Sequence, residues 1–114
     1  MSAHSAVAEA ALQDGSMRLV LDNYRTAPIG EKLRAMLALL ETFTLHPDEI
    51  DASHVRAALA AGVSRDAIRD AFYVAYLFNT YDRLADTLGW ELPDESYYPK
   101  AGQFLLQKGY LYSV

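Results

Sequence analysis

The reactive chemistry open to this chain is limited by its three histidines and by the absence of cysteine. His4, His46 and His54 follow spacings that match no known pattern of metal ligands. Without cysteine, these 114 residues offer no disulfide, no zinc–thiolate site and no thiol nucleophile. We therefore expect no metal and no cofactor, and we expect His46 and His54 to have structural or surface roles.

A second group of polar residues, Asn79, Arg83 and Asp86, follows helical spacing and so shares one helix face. One interpretation is a buried polar latch, in which Arg83 pairs with Asp86 and Asn79 binds a backbone group. The other is a polar lining for a ligand pocket. We favour the latch, which predicts that Arg83→Ala destabilises the protein more than Arg65→Ala does, because a buried charge would lose its partner.

Apolar residues recur at helical spacing almost throughout the chain, which predicts an all-α protein. We expect a single domain, 1–114, built as an antiparallel helical bundle. The predicted helices span residues 3–12, 16–25, 31–45, 52–61, 65–88 and 95–112. In the third, we expect one apolar stripe formed by Leu33, Met36, Leu37, Leu40, Phe43 and Thr44. The middle of the fifth, AFYVAYLF (71–78), is apolar on all sides and is therefore expected to be central.

Local signals place the ends of these helices. Asp51 and Ser64 suit helix N-caps, and Gly62 and Gly89 suit the left-handed residue that follows a helix. Pro28 suits the first turn of a helix, where its missing N–H is not needed.

Composition narrows the range of partners. The chain carries a net charge of −5 and has a sequence pI near 5.0, so nucleic-acid phosphates and anionic lipid are not natural partners. It has no apolar run of the roughly 20 residues that a membrane helix needs. The residues MSAHSAVAEAAL lack the basic start and long apolar core of a signal peptide, so we expect a cytoplasmic protein. The apolar segment 71–78 and an aromatic C-terminus predict a homo-oligomer. The C-terminal aromatic residues are Tyr97, Tyr98, Phe104, Tyr110 and Tyr112.

A DNA-binding helix-turn-helix is the less favoured alternative for the segment AAGVSRDAIRDAF, with Arg65 and Arg69 facing the groove. The negative net charge and the apolar continuation of the second helix argue against it, since a recognition helix keeps one face in solvent.

Residues 31–90 resemble the second half of alkylhydroperoxidase D-like proteins of the carboxymuconolactone decarboxylase superfamily. The resemblance rests on the AAGVS turn and on a long helix with the pattern FN-x-x-x-R-x-AD-x-LG. It implies an all-helical homo-oligomer related to peroxidases, which are antioxidant oxidoreductases. Active members reduce organic hydroperoxides with a Cys-x-x-Cys pair, a histidine four residues after the second cysteine, and an upstream glutamate.

The opening residues MSAHSAVAEAAL resemble the helix that follows the cysteine pair, with His4 at the position of the motif histidine. The cysteines and the glutamate have no counterpart here, so His4 is only a remnant of the catalytic motif. The resemblance thus implies a truncated, redox-inactive peroxidase-related protein, which would take a small hydroperoxide substrate only if a cysteine motif preceded it. The alternative is a non-enzymatic helical oligomer or partner-binding subunit.

Overall fold

A computed structural model describes residues 2–109 of the chain, apart from the side chain of Ala3. Across these residues the protein is all-helical. The helices are α1 (Ala3–Leu12), α2 (Ser16–Asn23), α3 (Glu31–Leu45), α4 (Ala52–Ala60), α5 (Arg65–Leu88) and α6 (Tyr97–Lys108). Over the same range, no helix is both long and apolar enough to cross a bilayer. The predicted span of the last helix, 95–112, is wrong at both ends, since α6 begins at Tyr97 and Gly109 ends it after Lys108. Tyr110 and Tyr112 lie outside the described residues.

The described residues form two compact units. One comprises Ile29–Trp90 and contains α3, α4 and α5. The other combines residues 2–28 with residues 91–109 and contains α1, α2 and α6. We call them the central unit and the terminal unit and describe each by itself; the expectation of a single domain stays a prediction.

The core of the central unit forms where α3 packs against both α4 and α5. Its buried residues are Met36, Leu39, Ala58, Val63 and Ile68. The predicted stripe on α3 is therefore partly wrong, since Leu39 is buried while Leu33 and Thr44 are exposed. Helical spacing alone could not determine which face of α3 is buried, because α3 carries leucines on more than one side.

Helix α5 buries only one of its faces within the central unit. Ile68 is buried, Phe72 is partly buried, and the rings of Phe72 and Phe43 meet edge to face with their centroids 5.0 Å apart. The opposite face is exposed. It carries an outer stripe, which we define as Tyr73, Val74, Leu77, Tyr81, Leu84 and Leu88. The prediction that segment 71–78 is central is therefore wrong: a helix apolar on all sides needs neighbours on all sides, and this unit supplies too few.

The predicted caps of α5 are confirmed. Ser64 adopts an extended backbone, and its hydroxyl accepts a hydrogen bond from the Ala67 N–H at 3.1 Å. Gly89 ends the helix with φ of 64°, in the left-handed region, and Gly62 ends the preceding turn with φ of 94°. Pro28 instead lies outside the helix, because α3 begins at Glu31 with Gly30 as its N-cap.

The terminal unit depends on a close approach between α1 and α6. Gly102 of α6 is buried against Ala6 of α1. A Cβ atom added at Gly102 would lie 2.8 Å from both the carbonyl carbon and the Cβ of Ala6, and 3.0 Å from the backbone nitrogen of Val7. These are mainly backbone atoms, so the helices would have to separate to admit even a methyl group.

We predict that Gly102→Ala destabilises the protein although alanine is the better helix former. Overpacking costs typically about 1–3 kcal/mol, against a gain in helix propensity of about 1 kcal/mol. The matched control is Gln103→Ala, at an exposed neighbour on the same helix, which should change the unfolding free energy by less than about 0.5 kcal/mol. Chemical denaturation measures both. A Gly102→Ala variant as stable as the parent would show that α1 and α6 do not pack this closely.

Candidate functional site

The structure does not bring the sequence-predicted site residues into one unit. His4 lies exposed in the first turn of α1, in the terminal unit. Asn79, Arg83 and Asp86 lie on α5, in the central unit. The remnant of the family motif and the polar group on α5 are therefore separate candidates.

The predicted buried latch is not formed. Arg83 and Asp86 are both exposed, and within residues 2–109 Arg83 makes no ion pair with Asp86 or with any other carboxylate. Asn79 is half-buried, and its Nδ2 donates to the hydroxyl of Thr44 at 3.3 Å rather than to the backbone. The cause is the incomplete cover of α5: an exposed guanidinium is solvated by water and requires no partner. The structure therefore gives no reason to expect that Arg83→Ala destabilises the protein more than Arg65→Ala does.

Asn79 and Arg83 instead line an open groove of about 380 Å³ between the C-terminal end of α3 and the second half of α5. Phe43, Tyr76 and Leu84 supply its apolar walls. This corresponds to the other sequence interpretation, a polar lining for a pocket, except that Asp86 does not take part.

Sequence reasoning missed most of the groove. Its α5 side includes Tyr76, Thr80, Arg83 and Thr87, which recur every three or four residues and so form one row along the helix. The row was visible in the sequence. The sequence pattern does not show which side of α5 borders α3, so it could not identify this row as part of a groove.

His54 has a structural role at the start of α4. The Nδ1 of its ring accepts a hydrogen bond from the Asp51 N–H at 3.2 Å, and the Asp51 carboxylate accepts from the Ser53 N–H at 2.8 Å. The two side chains form a capping box, so Asp51 is the N-cap that the sequence predicted. His46 lies at the C-cap of α3, where its own N–H donates to the Thr42 carbonyl oxygen.

The described part of the chain contains no cluster of three or more histidine, aspartate or glutamate side chains suited to hold an ion. Of the two arginines in the helix-turn-helix alternative, Arg69 is already engaged in ion pairs. Arg69 lies 3.2 Å from the Asp66 carboxylate and 3.1 Å from that of Asp70, so its charge is already balanced.

We predict that Asp51 titrates near pH 2. Hydrogen bonds donated by the Ser53 hydroxyl and N–H are the main cause that lowers the pKa of Asp51 from 3.8 to about 2. Because the pKa is lower in the folded state, this capping interaction stabilises the protein above about pH 3.8 and is lost as the pH falls towards 2.

The measurement is an NMR titration of the Asp51 carboxyl carbon. Ser53→Ala should move the pKa of Asp51 up towards its ordinary value. Asp94, whose pKa is lowered chiefly by the Ser96 hydroxyl, should be unaffected and serves as the internal control. A titration of Asp51 near 3.8 in the parent protein would contradict the capping arrangement.

Comparisons with models of known protein families, with curated proteins and with solved structures find no match for this chain.

Proposed function

We propose that this chain is a self-associating helical subunit and that the outer stripe of α5 forms the contact between copies. The supporting observation is the exposure of that stripe. Its six side chains keep between 48% and 64% of their surface in solvent, although all are large and apolar. Scattered exposed apolar residues are normal on a protein surface, whereas a continuous row of them indicates an interaction site.

The area of the stripe is close to what a stable contact requires. An aromatic side chain can bury 150–250 Å², so each exposed tyrosine of the stripe offers about 100–150 Å². With its aliphatic members the stripe comes to roughly 600 Å², the upper end of what monomeric proteins leave exposed. Two copies would together bury about 1,200 Å², where the range of specific interfaces begins.

The acidic residues at one end of the stripe favour a protein partner over a lipid surface. Asp66 and Asp70 continue the row of Tyr73 and Leu77 towards the N-terminus of α5, at spacings of four, three and four residues. Anionic headgroups would be repelled by these carboxylates and by the net charge of −5. A second copy of the chain can instead place its own arginines near them.

We predict that Leu77→Glu dissociates the assembly, because it places a charge in the middle of the stripe that the contact between copies would bury. The matched control is Leu45→Glu. Leu45 is 65% exposed against 64% for Leu77, but it lies at the end of α3 and outside the stripe. Light scattering over a range of micromolar concentrations should show a multiple of 12.7 kDa for the parent and for Leu45→Glu, and a monomer for Leu77→Glu. A monomeric parent, or equal behaviour of the two variants, would refute the proposal.

A second proposal is that the chain is the scaffold of an alkylhydroperoxidase-like protein, with the antiparallel bundle of that family. It is supported by the sequence pattern of residues 31–90, which form α3, α4 and α5 with the AAGVS turn between the last two. The 114 residues contain no thiol to attack a peroxide O–O bond, so they supply no turnover by themselves.

We predict that the chain alone consumes no organic hydroperoxide in the presence of a dithiol. An extension carrying Cys-x-x-Cys on a helix, with its second cysteine four residues before His4, should restore consumption, since a helix N-terminus lowers a thiol pKa and His4 would relay a proton. His4→Ala in the extended protein should reduce the rate, while His46→Ala should not. Turnover by the unextended chain, or an unchanged rate with His4→Ala, would contradict this proposal.

A further inference from the structure

We propose that the groove between α3 and α5 binds a small carboxylate with an apolar body. This inference is independent of self-association and of peroxidase chemistry. It rests on the size of the groove, the composition of its walls and the state of Arg83. A volume of about 380 Å³ lies within the range of small-molecule sites. The combination of apolar walls with a few polar groups is also typical of such sites.

The charge of the groove selects an anion. Among residues 2–109, Arg83 is the only charged residue that lines it, and its guanidinium has no carboxylate partner there. Arg69 of the same helix, by contrast, is paired with two carboxylates. In a chain of net charge −5, an arginine that faces a groove without such a partner is a local site of positive charge. Its planar fork of donors matches a carboxylate, which it can bind through two parallel hydrogen bonds.

Neighbouring polar groups can complete the binding of the carboxylate. Thr80 and Thr87 lie three residues before and four residues after Arg83, so their hydroxyls share its row on the helix. Asn79 is oriented by its hydrogen bond to Thr44, which fixes its amide at the edge of the groove. The hydroxyl and amide N–H groups of these residues would donate to the carboxylate without adding charge.

The single positive charge of the groove also disfavours a phosphate ligand. One arginine compensates one negative charge, and a phosphate monoester carries close to two at neutral pH. The second charge would remain uncompensated on an acidic protein. The apolar walls formed by Phe43, Tyr76 and Leu84 call for a ligand with an aromatic or aliphatic body beside its carboxylate. The expected class is therefore an apolar monocarboxylate.

Two soluble members of that class, benzoate and hexanoate, can serve as probes. Binding is measured by titrating them into isotope-labelled protein and following the backbone amide signals of residues 76–87 by NMR. Both probes should shift signals beside Arg83 and leave those of α1 and α6 in place. Benzamide, which keeps the ring but lacks the charge, should bind at least about tenfold more weakly. Phenyl phosphate should bind no more tightly than benzoate.

The matched variants are Arg83→Gln and Arg65→Gln. Both remove one exposed arginine from α5, but Arg65 lies in the first turn and outside the groove. Arg83→Gln should weaken benzoate binding by roughly tenfold to a hundredfold, the usual effect of losing a charged hydrogen-bonding partner. Arg65→Gln should leave it unchanged. Because Arg83 forms no ion pair with a described residue, both variants should unfold at the same denaturant concentration as the parent.

Leu84 belongs both to the groove and to the outer stripe, so the titration is repeated on the Leu77→Glu variant to separate ligand binding from self-association. Binding by the parent or by this variant, lost with Arg83→Gln, supports the proposal. Absence of binding in both, equal binding by Arg83→Gln and Arg65→Gln, or tighter binding of phenyl phosphate overturns it. Light scattering reports self-association separately, so the failure of one proposal does not imply the failure of the other.

Discussion

Helix α5 has more apolar surface than its neighbours in the central unit can cover. Its 24 residues span roughly 36 Å, and α3 is the helix that packs along it. Ile68 and Phe72 bury the inner face of its first half against the core. The outer stripe and the groove are the two parts of α5 that this packing leaves uncovered. The proposals of self-association and of ligand binding both follow from this uncovered surface of α5.

The outer stripe and the groove differ in the charge that they carry. Near the N-terminal end of α5, Arg69 is paired with the carboxylates of Asp66 and Asp70, so its guanidinium is already engaged. Further along, Arg83 lies beside apolar groove walls without a described carboxylate partner. The stripe itself has no charged member. An uncharged row suits contact between proteins, whereas a groove with a single cation suits a small anion.

The sequence predicted the ends of α3, α4 and α5 well and helix faces poorly. Residues such as Asp51, Ser64 and Gly89 act on the backbone within one turn, so their effect can be inferred from local pattern alone. The face that a helix buries depends on which other helices reach it, and that is a property of the whole chain. The buried latch was expected because Asn79, Arg83 and Asp86 continue an apolar segment. It failed because that segment is exposed.

The terminal unit gives a second example of packing that the local sequence does not predict. The buried contact of Gly102 with the backbone of α1 leaves no room for a side chain, yet a glycine inside a predicted helix indicates nothing by itself about close packing. Only the pairing of α6 with α1 explains it. Small residues at a helix contact are therefore understood after the partner helix is known, whereas capping residues are understood before.

The central claim, that α5 contacts a second copy through its outer stripe, can be tested most directly by the reactivity of a single introduced thiol. Because the chain has no cysteine, Leu77→Cys places the only thiol in the protein on the stripe, and Leu45→Cys places it on an equally exposed control position. Each variant is labelled with a thiol reagent at protein concentrations below and above the onset of self-association. Our account predicts that labelling of Leu77→Cys slows as the concentration rises, because the contact covers it, while labelling of Leu45→Cys keeps a constant rate. A rate for Leu77→Cys that does not depend on protein concentration would contradict it.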